Sequence, residues 1–84
     1  MKDLPVITGF QLIRLLELDG WVVHRRTRHG VALRKTQGGR TFVAHVPSRR
    51  ASLPSGTLSG ILSVKQTGLG REGLVQLVRK YGPR

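Results

Sequence analysis

A chain of 84 residues can form one compact domain, residues 1–84, and is too short for two. With no cysteine, a disulfide framework and a thiolate zinc site are both excluded, and the cytoplasm is the expected compartment. Fifteen lysines and arginines against four acids give a formal charge of +11 and a pI near 11.9, a balance that draws polyanions.

The first predicted element is a helix from Ile7 to Leu18. Thr8 followed by Gln11 has the spacing of a capping box. Phe10, Leu12, Ile13, Leu15 and Leu16 then supply an apolar face at helical spacing. Asp19-Gly20 ends it, glycine being suited to the left-handed position after a helix. Upstream, Met1 to Gly9 lacks the apolar run of a secretory signal, and no window has the length of a membrane span.

Three strands are expected next. Trp21 to Arg26 opens with bulky and β-branched residues, and a turn through Thr27–Gly30 leads to a second strand, Val31 to Thr36. Gln37-Gly38-Gly39-Arg40 has hairpin chemistry and delivers Thr41 to Val46, which Pro47 terminates. Trp21 and Phe42 are expected in the core. Arg49 to Ser55 reads as a loop, Thr57 to Lys65 as a short helix, and the glycine-rich Thr67–Gly70 as the connection to a last helix, Arg71 to Tyr81. Glu72 suits that helix's first turn, and Gly82-Pro83 is a stop signal.

The expected fold is therefore α+β: α-β-β-β-α around a three-stranded antiparallel sheet, with an extra short C-terminal helix. Double-stranded-RNA-binding domains share that topology and read RNA by shape and by backbone contacts.

All four acids, Asp3, Glu17, Asp19 and Glu72, lie outside the interval Gly20–Arg71, which carries the arginine-rich centre of the chain. The planar guanidinium binds phosphate through two parallel hydrogen bonds. A membrane-surface role is disfavoured, because no helix sets a cationic side against a bulky apolar stripe. Four aromatic residues are too few for a single-strand binder built on stacking platforms.

Among the three histidines, His29 stands out because Arg28 and Gly30 flank it and Arg25 and Arg26 are close in sequence. The glycine would leave room for a ligand backbone. Cleavage of RNA requires a base for the 2′-hydroxyl, an acid for the leaving oxygen and cations for the charge that develops on phosphorus. Histidine can do the first two and arginine the third. Two-metal cleavage would need several carboxylates, which the basic centre lacks, so no metal or other cofactor is expected. A regular first strand would put Trp21, Val23 and Arg25 on one face and Val22, His24 and Arg26 on the other. His24 could act as a second proton carrier only if pairing brought it near His29.

The pattern Leu15-Leu16-Glu17-Leu18-Asp19-Gly20-Trp21, then Arg25, then His29, resembles the start of the HicA toxins. Val43-Ala44-His45-Val46-Pro47 is similar to that family's third strand, and Gly56-Thr57-Leu58-Ser59-Gly60-Ile61-Leu62 to its Gly-Thr-Leu-x-x-Ile-Leu segment. The likeness runs to about Gly68. It implies a fold like that of double-stranded-RNA-binding domains, mRNA cleavage without metal, His29 as the catalytic histidine, and an antitoxin, HicB, as protein partner. Two departures stand out: Thr27-Arg28-His29 replaces the family's Gly-Ser-His, and Ser48-Arg49-Arg50 follows Pro47 without the family's histidine.

The leading expectation is an RNA-cleaving toxin with His29 as general acid–base and Arg25, Arg26 and Arg28 holding phosphate. Arg34, Lys35 and Arg40 are expected as secondary RNA contacts. A non-catalytic RNA-binding module of the same fold is the alternative, and a third reading makes the basic surface an interface for an acidic protein.

Overall fold

The computed structural model describes residues 4–82. In chain order the elements are α1 (Gly9–Leu18), β1 (Val22–Arg26), β2 (Gly30–Gln37), β3 (Arg40–Pro47), α2 (Ser55–Leu62) and α3 (Gly70–Tyr81). The three strands form one antiparallel sheet in the order β1-β2-β3, so the chain is an α+β fold as expected.

Helix α1 begins two residues later than predicted because Thr8 caps it from outside. The Thr8 Oγ1 accepts the Gln11 amide at 3.0 Å, and the Gln11 Oε1 accepts the Thr8 amide at 2.9 Å. The far end closes as a Schellman motif. The Trp21 amide donates to Leu16 O at 2.9 Å and the Gly20 amide to Glu17 O at 3.1 Å, with Gly20 at φ 100°. Trp21 is buried as expected, and it spends its amide on closing the helix before β1 starts at Val22. Thr8→Ala is expected to lower stability by about 1 kcal/mol, and thermal denaturation should record a melting temperature about 4–8 °C lower.

Leu12, Ile13, Leu15 and Leu16 are buried against the sheet, each leucine contributing about 1.5–3 kcal/mol. Phe10 departs from the expectation: it is 49% exposed. At 3.6 residues per turn it lies about 140° around the helix from the centre of that face.

Register decides which side chains the sheet buries. Val31 and Leu33 on β2 pair with Val46 and Ala44 on β3, and these four lie in the core. Helix α1 packs on β3 and β1, α2 on β3 and α3, and α3 on α1. Arg34 pairs with Val43 and Thr36 with Thr41 on the opposite face, where all four are exposed. One face of the sheet is thus roofed by helices and the other is open. Phe42, expected inside, is half-buried at the core margin, with the Arg40 guanidinium 5.2 Å from its ring centroid.

Strand β3 extends one residue further than expected at its end, with Pro47 paired to Gly30; proline is tolerated there because β3 is an edge strand. Helix α2 spans Ser55–Leu62 instead of Thr57–Lys65. Ser63 stops it: the backbone turns extended, and its Oγ donates to Gly60 O at 2.7 Å while accepting the Lys65 amide at 3.3 Å.

The C-terminal helix is not a short extra. With 12 residues, α3 is the longest of the three, against 10 in α1 and 8 in α2. It buries Leu74 and Leu77, carries Glu72 beside Arg71 in its first turn and ends with Arg79 and Lys80, whose charge suits the C-terminal end of the dipole. Gly82, at φ 78°, caps it, and Pro83 lies outside the described residues. The Thr67–Gly70 connection is held from inside, since the buried Thr67 hydroxyl donates to Ile61 O at 2.8 Å and accepts the Leu69 amide at 3.2 Å.

Candidate functional site

Strand β1 does not alternate regularly. Val23 pairs with Leu33 and the next paired residue is Arg25, opposite Ala32, so His24 is the extra residue of a bulge. The bulge reverses the expected parity. Val23 faces the core with Leu33, whereas Arg25 joins the open face with Ala32, so the expectation that these two share a face fails. Arg26, opposite Val31, moves to the helix side of the sheet margin and is exposed there.

Beyond β1 the chain turns back over Arg28 and His29. Thr27 and Gly30 exchange backbone hydrogen bonds, 2.9 Å from the Thr27 amide and 3.4 Å from the Gly30 amide. The Thr27 hydroxyl oxygen also lies 3.2 Å from the His29 amide and 3.3 Å from the Gly30 amide, accepting from both. That local bonding fixes the hairpin tip without using the His29 imidazole. Gly30 is required by the chain itself and not by a ligand: a Cβ there would lie 2.7 Å from Val46 O.

On the open face this end of the sheet forms a cleft of about 300 Å³. Arg25, Thr27, His29 and His45 border it, and Gly30 and Ala32 form part of its floor. His45 is present because β3 pairs it with Ala32, the same residue that pairs with Arg25 from the other side. The three form a row across the sheet. Ala32 is 9% exposed, between Arg25 on one side and His45 on the other.

Arg26 aside, the cations predicted to hold RNA divide into two groups. Arg25 borders the cleft, Arg28 sits beside His29 in the exposed turn, and Arg34 projects from the same open face further along β2. None of the ion pairs among the described residues involves Arg25, Arg26, Arg28 or Arg34. Lys35 and Arg40 are elsewhere. They border a groove of about 790 Å³ at the other end of the sheet, together with Trp21 and Phe42. Lys35 is committed there, its Nζ 2.9 Å from Asp19 O and 3.3 Å from the Asp19 Oδ2.

No family model, curated protein or solved structure matches the chain.

Two residues of the site escape a reading of the sequence. His45 shares the cleft with His29 where His24 was considered, and only strand register reveals it. Gln66, between α2 and α3, accepts the His45 amide on its Oε1 at 2.8 Å and so ties down the outer edge of β3. Nothing in its sequence context marks Gln66, since the bond spans 21 positions. Among the described residues no three His, Asp or Glu side chains converge as metal ligands would.

Proposed function

We propose that this protein is a small endoribonuclease of the toxin type, which cleaves mRNA by histidine acid–base chemistry on a fold like that of double-stranded-RNA-binding domains. One observation carries the reading: His29 stands at the rim of an open cleft with Arg25, on the uncovered face of a sheet with unpaired arginines. A phosphodiester laid in this cleft meets a group able to accept the 2′-hydroxyl proton. A guanidinium stands beside it to offset charge on the phosphorus oxygens.

The resemblance to HicA supports the same choice of histidine, although Arg28 precedes it here. It also brings a HicB-type antitoxin as partner, and with 15 basic residues against four acids an acidic inhibitor would suit this surface. The competing reading is a non-catalytic RNA-binding module. The open face and its arginines serve that reading equally well, and His29 is what favours cleavage.

The deciding experiment is incubation of purified protein with a long labelled mRNA in the presence of chelator, run beside His29→Ala. Cleavage by the wild type alone supports the endoribonuclease. If both proteins bind RNA and neither cuts it, the binding module takes its place.

The division of the cations gives a separate expectation. Arg34→Ala should weaken RNA binding and reduce the slope of log K against log salt by about 1. Lys35→Ala, next to it in sequence but on the helix side and bonded to Asp19, should leave that slope unchanged and lower the melting temperature. Equal effects on the slope would mean that RNA contacts both faces.

A further inference from the structure

Cleavage of an RNA strand moves two protons, and His29 accounts for one. We propose that His45 is the second proton-transfer group of the same cleft, an assignment that rests on the endoribonuclease reading.

Strand register places His45 at the cleft. The backbone amide of His45 points away from β2 toward Gln66, so His45 and Ala32 form a non-hydrogen-bonded pair, the type in which opposed side chains stand closest. Arg25 is opposite the same alanine from β1. The small Ala32 keeps a large side chain out of the space between Arg25 and His45, and His29 at the hairpin tip borders the same cleft. Two imidazoles and one guanidinium thus border a single cleft. Neither imidazole takes part in a hydrogen bond among the described residues, so both are free for a substrate. His24 has no equivalent claim, because it is the bulged residue and is not among those bordering the cleft.

The strand edge at His45 is also anchored. The 2.8 Å bond from the His45 amide to Gln66 fills the one outward-facing donor at that position.

The step then runs as follows. The ribose 2′-oxygen attacks phosphorus while neutral His29 accepts the 2′-hydroxyl proton. The bond from phosphorus to the 5′-oxygen breaks, its electron pair stays on that oxygen, and protonated His45 donates the proton that completes a 5′-hydroxyl. The other product is a 2′,3′-cyclic phosphate. Arg25 faces the negative charge on the non-bridging oxygens as the pentacoordinate state forms. Nothing is oxidised or reduced, and exchange with water returns both histidines to their starting forms.

A leaving group that needs no proton isolates this role. The cut site is first mapped on an unmodified RNA oligonucleotide, and sulfur is then substituted for the bridging 5′-oxygen at that linkage. His45→Ala and His45→Gln should each slow cleavage of the oxygen linkage by about 10²-fold or more. On the sulfur linkage both variants should approach the wild-type rate, while His29→Ala stays slow on both. Equal loss on the two linkages, or no loss on either, overturns the assignment of His45 and leaves the endoribonuclease standing. A wild type that cuts neither linkage defeats the endoribonuclease reading, and the role of His45 falls with it.

Discussion

Gly9→Ala is expected to lower stability by about 3 kcal/mol or more, the upper end of what overpacking a filled site costs. Gly9 is buried at the first position of α1, and a Cβ there would overlap the carbonyl oxygen of Pro47 and lie 3.0 Å from the Arg49 amide nitrogen. Both obstacles are backbone atoms at the end of β3 and cannot rotate aside. The helix start is pinned on its other sides too, by the Leu53 amide donating to Ile7 O at 2.8 Å and by the isolated bridge between Thr8 and Ser52. Relief would require α1 to lift from the strand that carries His45 and Pro47. For a domain of this size about 3 kcal/mol corresponds to a fall of about 12 °C or more in melting temperature. Gly60→Ala is the matched control. Nothing lies within 4 Å of a Cβ at Gly60, inside α2, so alanine there should raise stability by up to about 1 kcal/mol. If both variants melted like the wild type, the close approach of α1 to the end of β3 would be refuted.

His29→Ala is expected to reduce RNA cleavage by about 10²–10⁴-fold, the range over which a positioned acid–base group acts. Affinity should stay near wild type, because the phosphate contacts proposed for this surface are Arg25, Arg28 and Arg34. Stability should change by no more than about 0.5 kcal/mol, since His29 is exposed and its turn is held by Thr27 through backbone amides. A rate that falls together with affinity would make His29 a binding residue. An unchanged rate would remove it from the chemistry altogether.

Most of the fold was legible in the sequence because its signals are local. The capping box at Thr8 and Gln11, the Schellman ending at Gly20 and the paired glycines between β2 and β3 each depend on residues a few positions apart. Two errors had different causes, one in how a helix turns toward the sheet and one in local side-chain bonding. Phe10 fits an apolar helix pattern, yet it lies outside the sector that α1 turns toward the sheet. Helix α2 stops early because Ser63 finds better hydrogen bonds outside a helical conformation.

The candidate site divides along the same line. Charge distribution pointed to the hairpin around Arg25, Arg28 and His29, because a run of cations beside a histidine is visible at short range. Which face of the sheet the helices cover was not visible. Arg34 and Lys35 are neighbours in sequence and face opposite sides of the sheet, one open and one bonded to Asp19.

By itself, then, the sequence determined the α+β element order and the excess of basic charge, and it nominated His29 as a candidate, since composition and short-range spacing suffice for each. Tertiary structure decided the rest. A single extra residue at His24 reverses side-chain parity along β1 and brings Arg25 to the open face. The β2–β3 register then sets His45 opposite the same alanine. Side chains alternate with a period of two, so one inserted residue or one shifted pair exchanges every face beyond it. The two-residue Gly38-Gly39 turn fixes the β2–β3 register locally, whereas the bulge at His24 comes from pairing β1 against β2 and no local pattern marks it.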